Sequence, residues 1–191
     1  MMRQNFVEEF EDCPVVAAIK DDEGLERCLG SEIRIVFVLY GDICTVGGIV
    51  DRLKQSGKLV LVHVDLVGGL GSREVAVDYI RSATKADGII STRPALIRRA
   101  RELGLFAVMR FFVLDSMALE NVKRQIETIH PDMIEIMPGL MPKIIRRVCS
   151  FVDGETPVIT GGLITDREDV VAALNAGAVS VSTTRQETWF M

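Results

Sequence analysis

Polar side chains that interrupt runs of β-branched and apolar residues are the positions in this sequence able to do chemistry. They recur in order along the chain. Lys20 follows Pro14–Ile19, His63 and Asp65 end Leu59–Asp65, and Ser91 and Thr92 close Gly88–Ser91. Arg110 lies within Leu105–Phe111 and Glu135 within Met133–Met137. Gly161 and Gly162 follow Thr160 at the end of Pro157–Thr160, and Ser182, Thr183 and Thr184 end Ala178–Ser182. An unsatisfied buried polar group costs roughly 1–3 kcal/mol. Repeated interruptions of this kind are hard to explain by packing and point to a shared site.

The chemistry available differs from group to group. Gly161 and Gly162 let the backbone approach an oxyanion and aim its N–H groups at it, while Ser182, Thr183 and Thr184 add hydroxyl donors. That combination suits a phosphate. His63 and Asp65, two apart on a strand, project to one face and have the types of a metal site or a catalytic base. A metal would need more ligands, and Glu135 is the one candidate. His130, just before Pro131, enters the following strand from the opposite rim. No metal is therefore expected, and Asp65 and Glu135 are assigned to ligand hydroxyls. A Schiff base needs a neutral lysine at the site. Lys20 is the lysine so placed, but Asp21, Asp22 and Glu23 favour its ammonium form, so it serves as a counter-charge. Neither a nucleophile elbow, nor a P-loop, nor a cysteine–histidine pair is legible, and neither a catalytic residue nor a cofactor is expected.

The apolar runs that carry these residues must be strands, for they are apolar nearly throughout, as parallel strands covered on both sides are. Stretches of helical period separate them. Leu96, Ala100 and Leu103 form one stripe, Val122, Ile126 and Ile129 another, and Ile144, Ile145, Val148 and Val152 a third. Thr165 with Glu168 has the form of a capping box, and Gly177 stops the helix it opens. Strict β–α alternation implies right-handed parallel crossovers. Eight strands predict a compact (β/α)8 TIM-type barrel, one domain over residues 1–191, with the site at the C-terminal strand ends. The 191 residues fall short of the roughly 250 usual for this fold. The first helix, within Asp22–Gly30, and the last, within Arg185–Met191, are expected to be shortened. Phe6, Val7 and Phe10, with Trp189 and Phe190, are expected to cover the bare flank; a partner subunit in a homo-oligomer is the other way to cover it. An open doubly wound sheet is the alternative fold, but Lys20–Gly24 is not a dinucleotide-binding loop.

Composition restricts the function classes. Apolar residues make up 48% and charged residues 26%, the balance of a globular chain. No apolar run nears the roughly 20 residues of a membrane span, and the acidic N-terminus lacks a signal-peptide core. Cys13, Cys28, Cys44 and Cys149 are scattered and are expected to be buried and reduced, which points to the cytoplasm. The net charge is −5. Residues 1–32 hold three basic against nine acidic residues, whereas residues 93–147 hold ten against six. One positive face for an anionic partner is compatible with that distribution.

Over nearly its full length the sequence resembles the glycerol uptake operon antiterminator regulatory proteins. The likeness lies in Val15–Lys20, Val62–Leu66, Gly88–Thr92, Arg110–Ser116, Glu135–Gly139, Thr160–Ile164 and Gly177–Thr184, in this order and at this spacing. The resemblance implies a non-catalytic regulator that binds glycerol 3-phosphate and acts on leader mRNA to prevent premature termination. The phosphate is then expected at Gly161, Gly162, Ser182 and Thr183 with Arg110 and Lys20, and the glycerol near His63, Asp65, Ser91 and Glu135. RNA contact is expected at Arg98, Arg99, Lys143, Arg146 and Arg147. The competing class is a phosphosugar epimerase or isomerase, suggested by His63-Val64-Asp65. Such an enzyme would need a second histidine and paired aspartates about a metal.

Overall fold

Parallel pairing of each strand with the next closes the sheet. The computed structural model describes residues 2–152, 154 and 156–190, with side chains from residue 6 onward. Its strands are β1 (Val15–Ile19), β2 (Ile35–Val38), β3 (Leu59–His63), β4 (Gly88–Ser91), β5 (Phe106–Phe112), β6 (Met133–Met137), β7 (Val158–Gly161) and β8 (Ser180–Thr183). They pair in sequence order, and β8 returns to β1 with Val16 opposite Ser182. Helix α1 (Met2–Glu11) precedes β1. The helices between strands are α2 (Asp22–Leu29), α3 (Val46–Gln55), α4 (Val75–Ala83), α5 (Pro94–Glu102), α6 (Ser116–Ile129), α7 (Pro142–Val152) and α8 (Arg167–Leu174). The short first crossover helix and a 3₁₀ turn, Gln186–Phe190, in place of a closing helix both agree with the sequence expectation.

Side chains alternate between two layers, as a period of two requires. Outward residues such as Ile19, Val36, Val62, Ile89, Ile134 and Val181 pack beneath the helices. Inward residues, among them Val16, Ile35, Phe37, Leu61, Ile90, Phe106, Val108, Met133 and Ile159, fill the lower barrel. The same inward register runs on to His63, Arg110, Glu135, Gly161 and Ser182. The lower barrel is thus apolar and the top layer polar.

Four details differ from the expectation. Phe6, Val7 and Phe10 do not cover the outer flank: α1 closes the N-terminal end of the barrel. Phe6 stacks on Phe106 at 4.9 Å between centroids, and Phe10, fully buried, lies 6.2 Å from Phe37 and 6.0 Å from Phe106. The flank belongs to Trp189, buried in the outer layer with its indole N–H donating to the Thr183 carbonyl at 3.0 Å. The cap of α8 is Asp166, one residue past Thr165. It accepts from the Asp169 N–H at 2.9 Å, while the Thr165 N–H and hydroxyl both donate to Asp169. Strand β3 ends at His63, and Val64–Leu66 turns as a 3₁₀ helix, so Asp65 does not continue the strand. Finally, Cys44 is exposed, because Asp42 accepts from its N–H in a turn beyond β2; Cys13 and Cys28 are buried. No helix among the described residues is long and apolar enough to cross a membrane.

Candidate functional site

At the C-terminal mouth the polar inward layer is wired together. Arg110, 7% exposed, donates from Nε to Glu135 Oε2 at 2.6 Å, and Ser182 Oγ donates to Glu135 Oε1 at 2.5 Å. Glu135 is fully buried. Gly161 makes this network possible: a Cβ there would collide with Ser182 Oγ and stand 2.9 Å from Glu135 Oε1. His63 is buried below the mouth, with no hydrogen-bond partner for Nδ1 among the described residues. Burial, helped by the Arg110 charge, holds its pKa down to about 4, against the opposing pull of Asp65 and Glu135. The imidazole is therefore neutral at pH 7, with one nitrogen able to accept a hydrogen bond.

Above this layer lies a cavity of about 80 Å³ lined by Ala18, Leu39, Arg110, Met137, Gly162, Leu163, Ile164, Ser182, Thr183 and Thr184. Its wall is the pair of loops after β7 and β8. Gly162 adopts a left-handed φ of 76°, and its carbonyl accepts from the Gly139 N–H at 3.0 Å. Leu163 follows at φ 62°, a region non-glycine residues rarely occupy. The N–H groups of Leu163 and Thr184 make no hydrogen bond to a described residue.

The expected site residues divide into two groups. Arg110, Gly162, Ser182 and Thr183 line the cavity, with Glu135 and Gly161 immediately behind. Thr183 turns its hydroxyl away, donating to the Ile164 carbonyl and accepting from the Arg185 N–H. Asp65 and Ser91 do not line the cavity. Asp65 accepts from the Ser91 hydroxyl at 2.9 Å and from the Thr92 N–H and hydroxyl at 2.8 and 2.9 Å, and Arg93 pairs with it at 3.4 Å. These bonds from Thr92 and Ser91 hold its carboxyl below the usual range despite burial. The two residues clamp the start of α5. Lys20 is exposed just past β1, outside the lining. Ala18, Leu39, Met137, Leu163 and Ile164 were not foreseen. Ala18 was discoverable, since it is the inward position two before Lys20 in an alternating strand. Leu163 carries no such signal. Among the described residues no group of three or more His, Cys, Asp or Glu is placed to hold a metal ion.

The basic residues expected at the surface do not form one patch. Arg98 and Arg99 lie on α5 and Lys143, Arg146 and Arg147 on α7, and α6 packs between these helices. Arg99 is bound to Asp78 at 2.6 Å and to Glu102 at 2.9 Å, and Arg147 stands 3.8 Å from Glu120.

Residues 15–189, which include every group in this mouth, match the model of the glycerol-3-phosphate responsive antiterminators. The chain belongs to this family. Two solved structures support the assignment across nearly the whole barrel. The glycerol uptake operon antiterminator regulatory protein of Listeria monocytogenes superposes with a TM-score of 0.87 at 31% identity, over 92% of this chain and 94% of that one. The glycerol uptake operon antiterminator-related protein of Thermotoga maritima gives 0.83 at 34% identity, over 94% and 99%. The Escherichia coli K12 protein YgcP is 41% identical over 189 residues, spanning 99% of this chain and 94% of its own length. Membership of the antiterminator family favours a regulator over an enzyme.

Proposed function

We propose that this antiterminator-family chain senses glycerol 3-phosphate at the C-terminal mouth and, in response, acts on leader mRNA to prevent termination. The observation that carries the reading is the small cavity between the β7 and β8 loops and Arg110. Its volume, about 80 Å³, is well below the roughly 300–1,000 Å³ of drug-sized sites, which restricts it to a small ligand. The phosphate lies against Gly162 and Thr183, taking the N–H groups of Leu163 and Thr184 and the Thr184 hydroxyl, with the Arg110 guanidinium opposite its charge. The glycerol hydroxyls reach the Glu135–Ser182 pair and the free nitrogen of His63. Asp65 and Ser91 act from behind by holding the loop after β4, and Lys20 adds positive charge at the rim.

A thermal melt titrated with glycerol 3-phosphate tests this, with glycerol and inorganic phosphate as controls. A ligand that binds only the folded chain at a hundredfold excess over its Kd adds about 2.7 kcal/mol of stability. A saturable rise in Tm with glycerol 3-phosphate, exceeding both controls, is the expected result. No rise at millimolar ligand would sink the sensor reading.

A further inference from the structure

Leu163 combines three properties that packing does not explain. Its φ of 62° places a branched apolar residue in the left-handed region, where glycine or asparagine is at ease. The residue is 67% exposed, so it gains little from burial. The same residue lines the cavity at the barrel mouth. The backbone around it is pinned from both sides. The Gly139 N–H donates to the Gly162 carbonyl at 3.0 Å, the Thr183 hydroxyl donates to the Ile164 carbonyl at 3.1 Å, and the Thr165 N–H donates to Asp169 at 2.9 Å. Residues held in sparse backbone regions persist where their surroundings over-determine them, and they gather at ligand clamps. A glycine would relax this turn, so the leucine side chain must contribute something that glycine lacks.

Resting on the sensor reading above, we propose that Leu163 is a specificity-determining cover for the anion end of the cavity. With ligand in place its isobutyl group lies over the phosphate. Excluding water there strengthens the attraction between the phosphate and Arg110, since charges interact more strongly where the dielectric is low. The cover also sets a steric limit. A phosphate monoester fits beneath it, whereas the second substituent of a phosphodiester runs into the leucine. The residue therefore separates free glycerol 3-phosphate from its diesters, which share the glycerol and the phosphorus but not the bare phosphate.

The test is calorimetric titration of the full chain and of Leu163→Gly and Leu163→Met, with glycerol 3-phosphate and with glycerophosphocholine as the diester, alongside melts without ligand. Leu163→Gly is expected to melt at or above the wild-type temperature when unliganded. It should bind glycerol 3-phosphate at least about fivefold more weakly and lose part of its preference for monoester over diester. Leu163→Met, which restores apolar cover, should bind the monoester within about twofold of wild type. Equal Kd and equal preference in Leu163→Gly and wild type would overturn the proposal. So would a Leu163→Met as weak as Leu163→Gly, or a Leu163→Gly that melts lower without ligand, since the leucine would then be serving the fold. A wild type that takes up no glycerol 3-phosphate sinks the sensor reading and the cover together; a wild type that binds while Leu163→Gly binds equally well sinks the cover alone.

Discussion

Glu135 is fully buried in the middle of an otherwise apolar strand, with Arg110 at 2.6 Å and Ser182 at 2.5 Å. Two charges withdrawn from water recover their desolvation only with good geometry, and an apolar pair of similar volume is often as stable or more so. Burial of this pair is therefore weak evidence for stability. His63 lies in the same layer and makes a pH dependence visible. Its folded pKa, about 4, is below the ordinary histidine value of 6.5. Between those values the unfolded chain takes up a proton that the folded chain refuses, so stability falls as the pH drops through that window. The contribution lost by pH 5 is about 2 kcal/mol. Urea unfolding of wild type and His63→Gln at pH 7.5 and pH 5 checks this: the variant should lose less stability on acidification. Parallel losses in the two proteins would show that His63 is not the group responsible. Asp65, with its carboxyl pKa lowered, adds a loss in the same direction at lower pH.

The elements divide the barrel into a stable end and a working end. Aspartates cap three helices at the C-terminal face: Asp21 for α2, Asp115 for α6 and Asp166 for α8, each accepting a backbone N–H of the first turn. Such a cap contributes typically about 1 kcal/mol, and it also fixes where each loop at the mouth ends. At the other end α1 supplies a floor. Replacing Phe10 with Ala removes an aromatic side chain that is fully buried against Phe37 and Phe106. A loss of about 3–5 kcal/mol is expected, measured by urea unfolding, with the Kd for glycerol 3-phosphate unchanged because the cavity is at the opposite end. A loss under about 1 kcal/mol would mean that α1 does not seal the barrel. The spacing of Phe6, Val7 and Phe10 showed that α1 has an apolar face; it did not show which surface that face would meet. Periodicity describes an element from the inside, whereas its partner depends on what the rest of the chain leaves uncovered.

For the molecule as a whole, the uneven charge along the chain becomes a question of which cations remain free. Arg99 and Arg147 face carboxylates, whereas Arg98, Lys143 and Arg146 are exposed and make no ion pair with a described residue. If leader RNA lies across α7, Lys143→Ala with Arg146→Ala should weaken binding and lower the slope of log K against log salt by about 0.7 for each phosphate that is no longer neutralised. Filter binding at several salt concentrations measures it, and an unchanged slope would remove α7 from the RNA surface. The sequence by itself determined the eight strands, their parallel order, the closed barrel and the mouth at which the polar residues gather. Strand alternation is local, and right-handed crossovers leave few ways to connect strands so spaced. It also marked Arg110, Glu135, Gly161 and Ser182 for one site, because polar groups that interrupt apolar strands need partners. Tertiary structure alone decided that Asp65 and Ser91 turn from the cavity to clamp α5, that Gly161 is glycine to make room for Ser182 and Glu135, and that Leu163 stands at the mouth. Those outcomes depend on atoms from separate strands meeting within a few ångströms, and spacing along one segment carries no record of such distances.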